Sequence, residues 1–104
     1  MKKTIHLITL LICLAFCGTS VQATTNYWDT NGDTAGAGGA TPAGTWDTGT
    51  TANWSTDSAG GVVTTNWTDN DDAIFSAGAD ATGTFAIGLS GTPVVGNLTV
   101  EEGA

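Results

Sequence analysis

The chain opens on an apolar block and continues in a quite different texture. Ile5 through Phe16 is an almost unbroken hydrophobic run, interrupted only by His6 and Thr9, with Lys2 and Lys3 ahead of it and Gly18 behind. From Thr24 onward Gly, Thr, Ala, Asn, Asp and Ser dominate, and tryptophan is the main large residue. No window in this part repeats apolar residues at helical spacing, and Gly and Thr weaken helices throughout, so strands and turns are expected. Four short β-compatible stretches are centred on tryptophan: Tyr27-Trp28-Asp29, Thr45-Trp46-Asp47, Asn53-Trp54-Ser55 and Asn66-Trp67-Thr68. Large aliphatics are sparse before Val62 and gather after Ile74.

The second half carries cleaner strand signals. Asp72-Ala73-Ile74-Phe75 is a short β run behind the acidic cluster Asp69, Asp71 and Asp72. Thr84 to Leu89 puts Phe85, Ile87 and Leu89 on one face at period two. Ser90-Gly91-Thr92-Pro93 reads as a turn. Val94 to Val100 then resumes, with Leu98 and Val100 inward and Asn97 and Thr99 outward. Strand, turn, strand, turn at this spacing is the signature of a β-solenoid, whose coils bury their apolar faces by stacking. Asn31 to Gly44, rich in Gly, Ala and Thr and containing Pro42, is expected to be a loop, with disorder as the alternative.

Composition changes the meaning of the first block. Residues 1–23 have the layout of a secretory signal: a positive start, a short apolar core and Val21-Gln22-Ala23, with small residues where a signal peptidase reads and Ala23 as the cleavage residue. The apolar core falls short of the roughly 20 residues that a permanent membrane span needs. The rival position for modification, lipid attachment at Cys17, is disfavoured by the bulky Phe16 before it. Removal of residues 1–23 takes away both lysines, the single histidine and both cysteines, while all ten acidic residues stay. The formal charge moves from −8 to −10, since two positive charges leave and no negative ones do.

An exported chain without Lys, Arg, His or Cys excludes several kinds of chemistry. Serine has no base to activate it, thiol chemistry has no thiol, and zinc has neither nitrogen nor sulfur ligands. The dense negative charge disfavours nucleic acid and anionic lipid as partners. Carboxylates remain. Asp29, Asn31 and Asp33 alternate oxygen side chains as hard-cation loops do, and Asp69, Asp71 and Asp72 form a second oxygen-rich cluster. Both are weak Ca2+ candidates, because turns use the same residues to bind their own backbone. No other cofactor is expected. Glycoside hydrolysis by a pair such as Asp69 and Asp72 is remote. Tryptophans beside polar groups also make sugar platforms, and Trp46 with Asp47 and Trp54 with Asn53 have that composition. A secreted carbohydrate-binding module is therefore the rival to burial of these tryptophans in a core, which is favoured because little else here can form one.

Tyr27-Trp28-Asp29-Thr30-Asn31-Gly32, Ala37-Gly38-Gly39, Gly44-Thr45-Trp46-Asp47, Asn53-Trp54-Ser55 and Asn66-Trp67 together resemble the N-terminal region of exported bacterial proteins with autotransporter-associated β-strand repeats. Ala73 to Gly78 and Gly96 to Gly103 resemble the lead-in to the first repeat, although the repeats proper are lacking. The resemblance implies an all-β chain: the N-terminal cap and first coils of a right-handed parallel β-helix, in a passenger protein held at or released from the outer cell surface. It implies no catalytic residues, an adhesive or structural role, and the remainder of a longer solenoid as partner, with polysaccharide or a cell surface beyond. The expected organisation is a signal segment over 1–23, a Trp- and Gly-rich cap over 24–72, and first solenoid strands over 73–104, the whole reading as a fragment.

Overall fold

The computed structural model describes residues 22–101. The expected signal block, with Cys17, falls outside the described residues except for Gln22 and Ala23, which lie exposed ahead of the first strand. The described residues form an all-β fold with no helix, in six strands: β1 (Thr25–Trp28), β2 (Gly44–Trp46), β3 (Trp54–Ser55), β4 (Asp72–Phe75), β5 (Ile87–Leu89) and β6 (Leu98–Val100).

The strands fall into two sheets. One has the order β3-β1-β4-β6, and the other pairs β2 with β5. The chain passes from the first sheet at β1 to the second at β2, returns at β3, stays for β4, crosses again at β5 and returns at β6. β4 and β6 each run parallel to the strand they join. Asn26 pairs with Ala73 and Ala73 with Leu98; Tyr27 pairs with Ile74 and Ile74 with Thr99. In the second sheet Gly44 pairs with Ile87 and Trp46 with Leu89. Only β3 runs against its neighbour, placing Trp54 opposite Trp28 and Ser55 opposite Tyr27.

The core lies between the sheets and is built from indoles. Trp28 and Trp54 are fully buried, Trp67 and Trp46 nearly so, with Ala73 and Phe75 beside them and Phe85 and Ile87 packed against the group. Period-two alternation explains which residues point in: along β1 Asn26 and Trp28 are buried, and along β4 Ala73 and Phe75. The rings meet mostly edge to face, at centroid separations of 4.7 Å (Trp54–Trp67) to 5.3 Å (Trp28–Trp54). That is the arrangement an aromatic quadrupole favours. Four tryptophans thus supply the apolar area that a chain poor in aliphatics lacks.

Several expected elements are shorter than their sequence signals. The run Thr84 to Leu89 is strand only from Ile87, and the run Val94 to Val100 only from Leu98. Val94 is taken by other partners: its N–H donates to Asp69 Oδ1, while its carbonyl accepts from Asn70 N–H and Trp67 Nε1–H. The Trp67 stretch is not a strand either and makes a single bridge, to Thr48. Leu98 and Val100 do share the core face of their sheet, since they pair with buried Ala73 and Phe75, yet they are 57% and 55% exposed. The expectation that they lie inward holds for direction and fails for burial, because β6 is the edge of its sheet among the described residues.

The Gly-rich segment between Asn31 and Gly44 is a loop, but a tied one. Thr30 N–H donates to Ala37 O, Gly36 N–H to Ala59 O, Gly83 N–H to Ala40 O, and Trp28 Nε1–H to Pro42 O at 2.6 Å. Gly36, Ala37 and Pro42 are buried. Backbone groups of this loop therefore replace the side chains that its composition lacks.

Candidate functional site

The acidic residues are distributed around the fold as clamps, each holding a different segment. Asp71 accepts from Thr24 N–H (3.0 Å) and Asn26 Nδ2 (2.9 Å), fastening the start of β1. Asp72 Oδ1 accepts from both nitrogens of Asn97 at 2.9 Å, holding the entry to β6. Asp69 Oδ1 accepts from Thr48 Oγ1 and Val94 N–H, both at 2.9 Å. The three neighbours of the 69–72 cluster thus face three different places. Among the described residues no three Asp, Glu, His or Cys side chains converge on one point.

Asp47 works the same way, accepting from Thr50 and Thr51 N–H and from Thr51 Oγ1. The Thr51 hydroxyl and N–H hold its carboxyl below the usual carboxylate range, and the Val94 N–H and Thr48 hydroxyl do so for Asp69. The two residues line one open cleft of about 450 Å3 together with Ser90 and Thr92. Two carboxyls held anionic supply no proton donor, and a glycosidase needs one carboxyl raised to act as acid. The cleft can accept hydrogen bonds.

The packing favours core burial over the rival sugar-platform reading of Trp46 and Trp54. Trp54 is 0% exposed and Trp46 8%, so neither presents a ring face to a ligand. Their polar neighbours are also engaged, Asn53 Nδ2 donating to Thr45 O and Asp47 closing its own turn. Burial wins because these rings are the largest apolar surfaces available to join the two sheets. Nε1 of both Trp46 and Trp54 is buried without a hydrogen-bond acceptor. Neighbouring rings surround them at centroid separations of 4.7–5.8 Å.

Asp29 stands apart from the other acids. It follows β1, its N–H donates to Asn53 O, and its Oδ1 accepts from Asn31 N–H at 3.0 Å. The residue is fully buried and its Oδ2 has no partner; Asn31 Oδ1 is likewise buried and unpartnered. Burial pushes the Asp29 carboxyl up, the Asn31 N–H opposes this, and the negative charge of Asp80 adds to the rise. Asp33, the third residue of the expected cation loop, is exposed and takes no part.

Asp80 is a residue that sequence reading passed over. Its carboxylate accepts from Ala37 N–H and Gly39 N–H, both at 2.7 Å, and so holds the Gly-rich loop. Burial works against its charge, but these backbone donors outweigh it and bring the carboxyl below its ordinary value. Around it three glycine-bearing turns meet. A Cβ on Gly78 would stand 2.7 Å from Gly36 Cα, and one on Gly60 would collide with Gly36 O. No local pattern announces a contact among residues 36, 60, 78 and 80.

No protein-family model matches the chain, and no curated protein and no solved structure is similar to it at a significant level.

Proposed function

We propose that this chain is the N-terminal cap and first coils of an exported, right-handed parallel β-helix, a non-catalytic structural segment of a secreted or cell-surface passenger protein with an adhesive role. The observation that carries the reading is the difference between its two ends. At one end β1 is closed off by antiparallel β3, and Thr65 closes β3 in turn by exchanging N–H and C=O bonds with Trp54. At the other end β5 and β6 terminate their sheets with Leu89, Leu98 and Val100 on the core faces, 67%, 57% and 55% exposed.

A closed first edge and an open last edge suit the start of a stack. The antiparallel strand blocks growth in one direction, while the open edge offers unpaired backbone and apolar side chains to a following parallel coil. Right-handedness follows from the chirality of parallel crossovers, about 98% of which turn that way. The exported location rests on the residues before Gln22, and the absence of catalysis on a post-leader chain without base or thiol.

The test is self-association of the exported chain. Light scattering should show concentration-dependent assembly, abolished by Leu98→Lys with the far-ultraviolet β signal retained. A chain that stays monomeric at high concentration, with the β6 amides already protected from hydrogen exchange, refutes the stack.

A further inference from the structure

We propose a hard-cation site of Ca2+ type at the turn after β1, with Asp29 Oδ2 and Asn31 Oδ1 as its protein ligands. Two buried oxygen acceptors lie two residues apart, joined through the 3.0 Å bond from Asn31 N–H to Asp29 Oδ1, and no donor among the described residues reaches either. A fully buried carboxylate oxygen without a hydrogen bond is costly and calls for a positive partner. Asp80 adds a second negative charge close enough to act on Asp29.

Among the described residues the chain supplies no such partner. Lys2, Lys3 and His6 are its only side chains of cationic type, and all precede Gln22. If the Asp29 carboxyl stays ionised at neutral pH, its compensating charge comes from outside the described residues. The chemistry selects the class of ion: carboxylate and amide oxygens are hard ligands, without nitrogen or sulfur to favour zinc or copper. Ca2+ accepts irregular oxygen shells completed by water, whereas Mg2+ demands a near-ideal octahedron. Backbone approaches these carboxylates closely: a Cβ on Gly60 would stand 3.1 Å from Asp29 Oδ2, and one on Gly36 would stand 2.5 Å from Asp80 Oδ2. Glycines at these positions let two turns close over the carboxylates without side chains. The site joins the segment after β1 to the loops at Gly36 and Gly60, so an ion there would tie the Gly-rich part of the fold together. It stands whether or not the chain begins a stack.

The exported chain is melted at neutral pH in chelator, then in about 10 mM CaCl2 or MgCl2, a range suited to extracellular calcium modules. Ca2+ should raise Tm by roughly 5–15 °C, the linkage expected at about 10–100 times Kd, and Mg2+ by less. Asp29→Asn should remove the rise, Asn31→Ala should reduce it, and Asp33→Asn, an exposed carboxylate of the same segment, should keep it. Equal Tm in Ca2+ and chelator overturns the site. So does equal loss in the Asp29 and Asp33 variants, which would mean general screening of an acidic surface.

Discussion

Trp54→Ala is the sharpest test of the indole core. Trp54 is fully buried and is the hub of the cluster, with ring centroids 4.7 Å from Trp67, 5.0 Å from Trp46, 5.3 Å from Trp28 and 5.5 Å from Phe75. Burying an indole removes about 200 Å2 from water, which at about 25 cal/mol per Å2 corresponds to about 5 kcal/mol. Retaining the Ala methyl and allowing partial collapse brings the expected loss to about 3–5 kcal/mol. A fold of about 80 ordered residues has only about 4–12 kcal/mol in total. The variant should therefore lose about a quarter of its stability at the least, and at the lower end of total stability it should be largely unfolded.

Urea titration followed by near-ultraviolet circular dichroism, which reads the coupled indoles, is the assay. With a slope of about 1–2 kcal/mol per molar urea, the midpoint should fall by about 1.5 M or more. Trp54→Phe should lose less, since a ring remains among its four aromatic neighbours. Val63→Ala, at a residue 70% exposed, should stay within about 0.5 kcal/mol. A Trp54→Ala midpoint equal to that of Val63→Ala would refute the placement of this ring at the centre of the fold.

Other consequences follow from the same geometry. Asp47 and Asp69 have folded pKa values below their unfolded ones, so their contribution is present above about pH 4 and is lost as pH falls through the folded values. Urea midpoints measured down an acid series should decline in that window, and Asp47→Asn should flatten part of the decline. Gly36→Ala combines φ +98° with a Cβ 2.5 Å from Asp80 Oδ2, whereas Gly32→Ala has φ +75° and open space. Thermal melts should show Gly32→Ala costing about 1–2 kcal/mol from backbone conformation alone, and Gly36→Ala clearly more. Asp80→Ala frees the Ala37 and Gly39 N–H groups. It should speed hydrogen exchange at those two amides ahead of the β4 amides.

Much of the fold was legible along the chain, and unevenly so. The Asp72–Phe75 strand was marked by its alternation and its acidic flank, and the structure has it at those bounds. The tryptophans read correctly as core because no other residues here carry enough apolar area. The platform reading of Trp46 and Trp54 fails for the same reason. Loop behaviour was less visible. Residues 31–44 have the composition of a free loop, yet Asp80, Ala59 and Gly83 hold them in place, more than 20 residues away in each case. Backbone hydrogen bonding across such distances leaves no mark on local composition.

By itself the amino-acid sequence determined the material: an all-β chain with an indole core, an excess of carboxylates and, after its apolar opening, no cation to balance them. Those are matters of local propensity and of which side chains exist at all. Tertiary structure alone decided the register, Thr25 against Asp72 and then Ala73 against Leu98, at unequal separations of 47 and 25 residues that no repeat in the text announces. It decided too that Asp29 is sealed while Asp33 is solvated, and that Leu98 faces the core side uncovered. Burial belongs to the neighbours of a side chain, and in parallel pairing those neighbours come from distant parts of the chain.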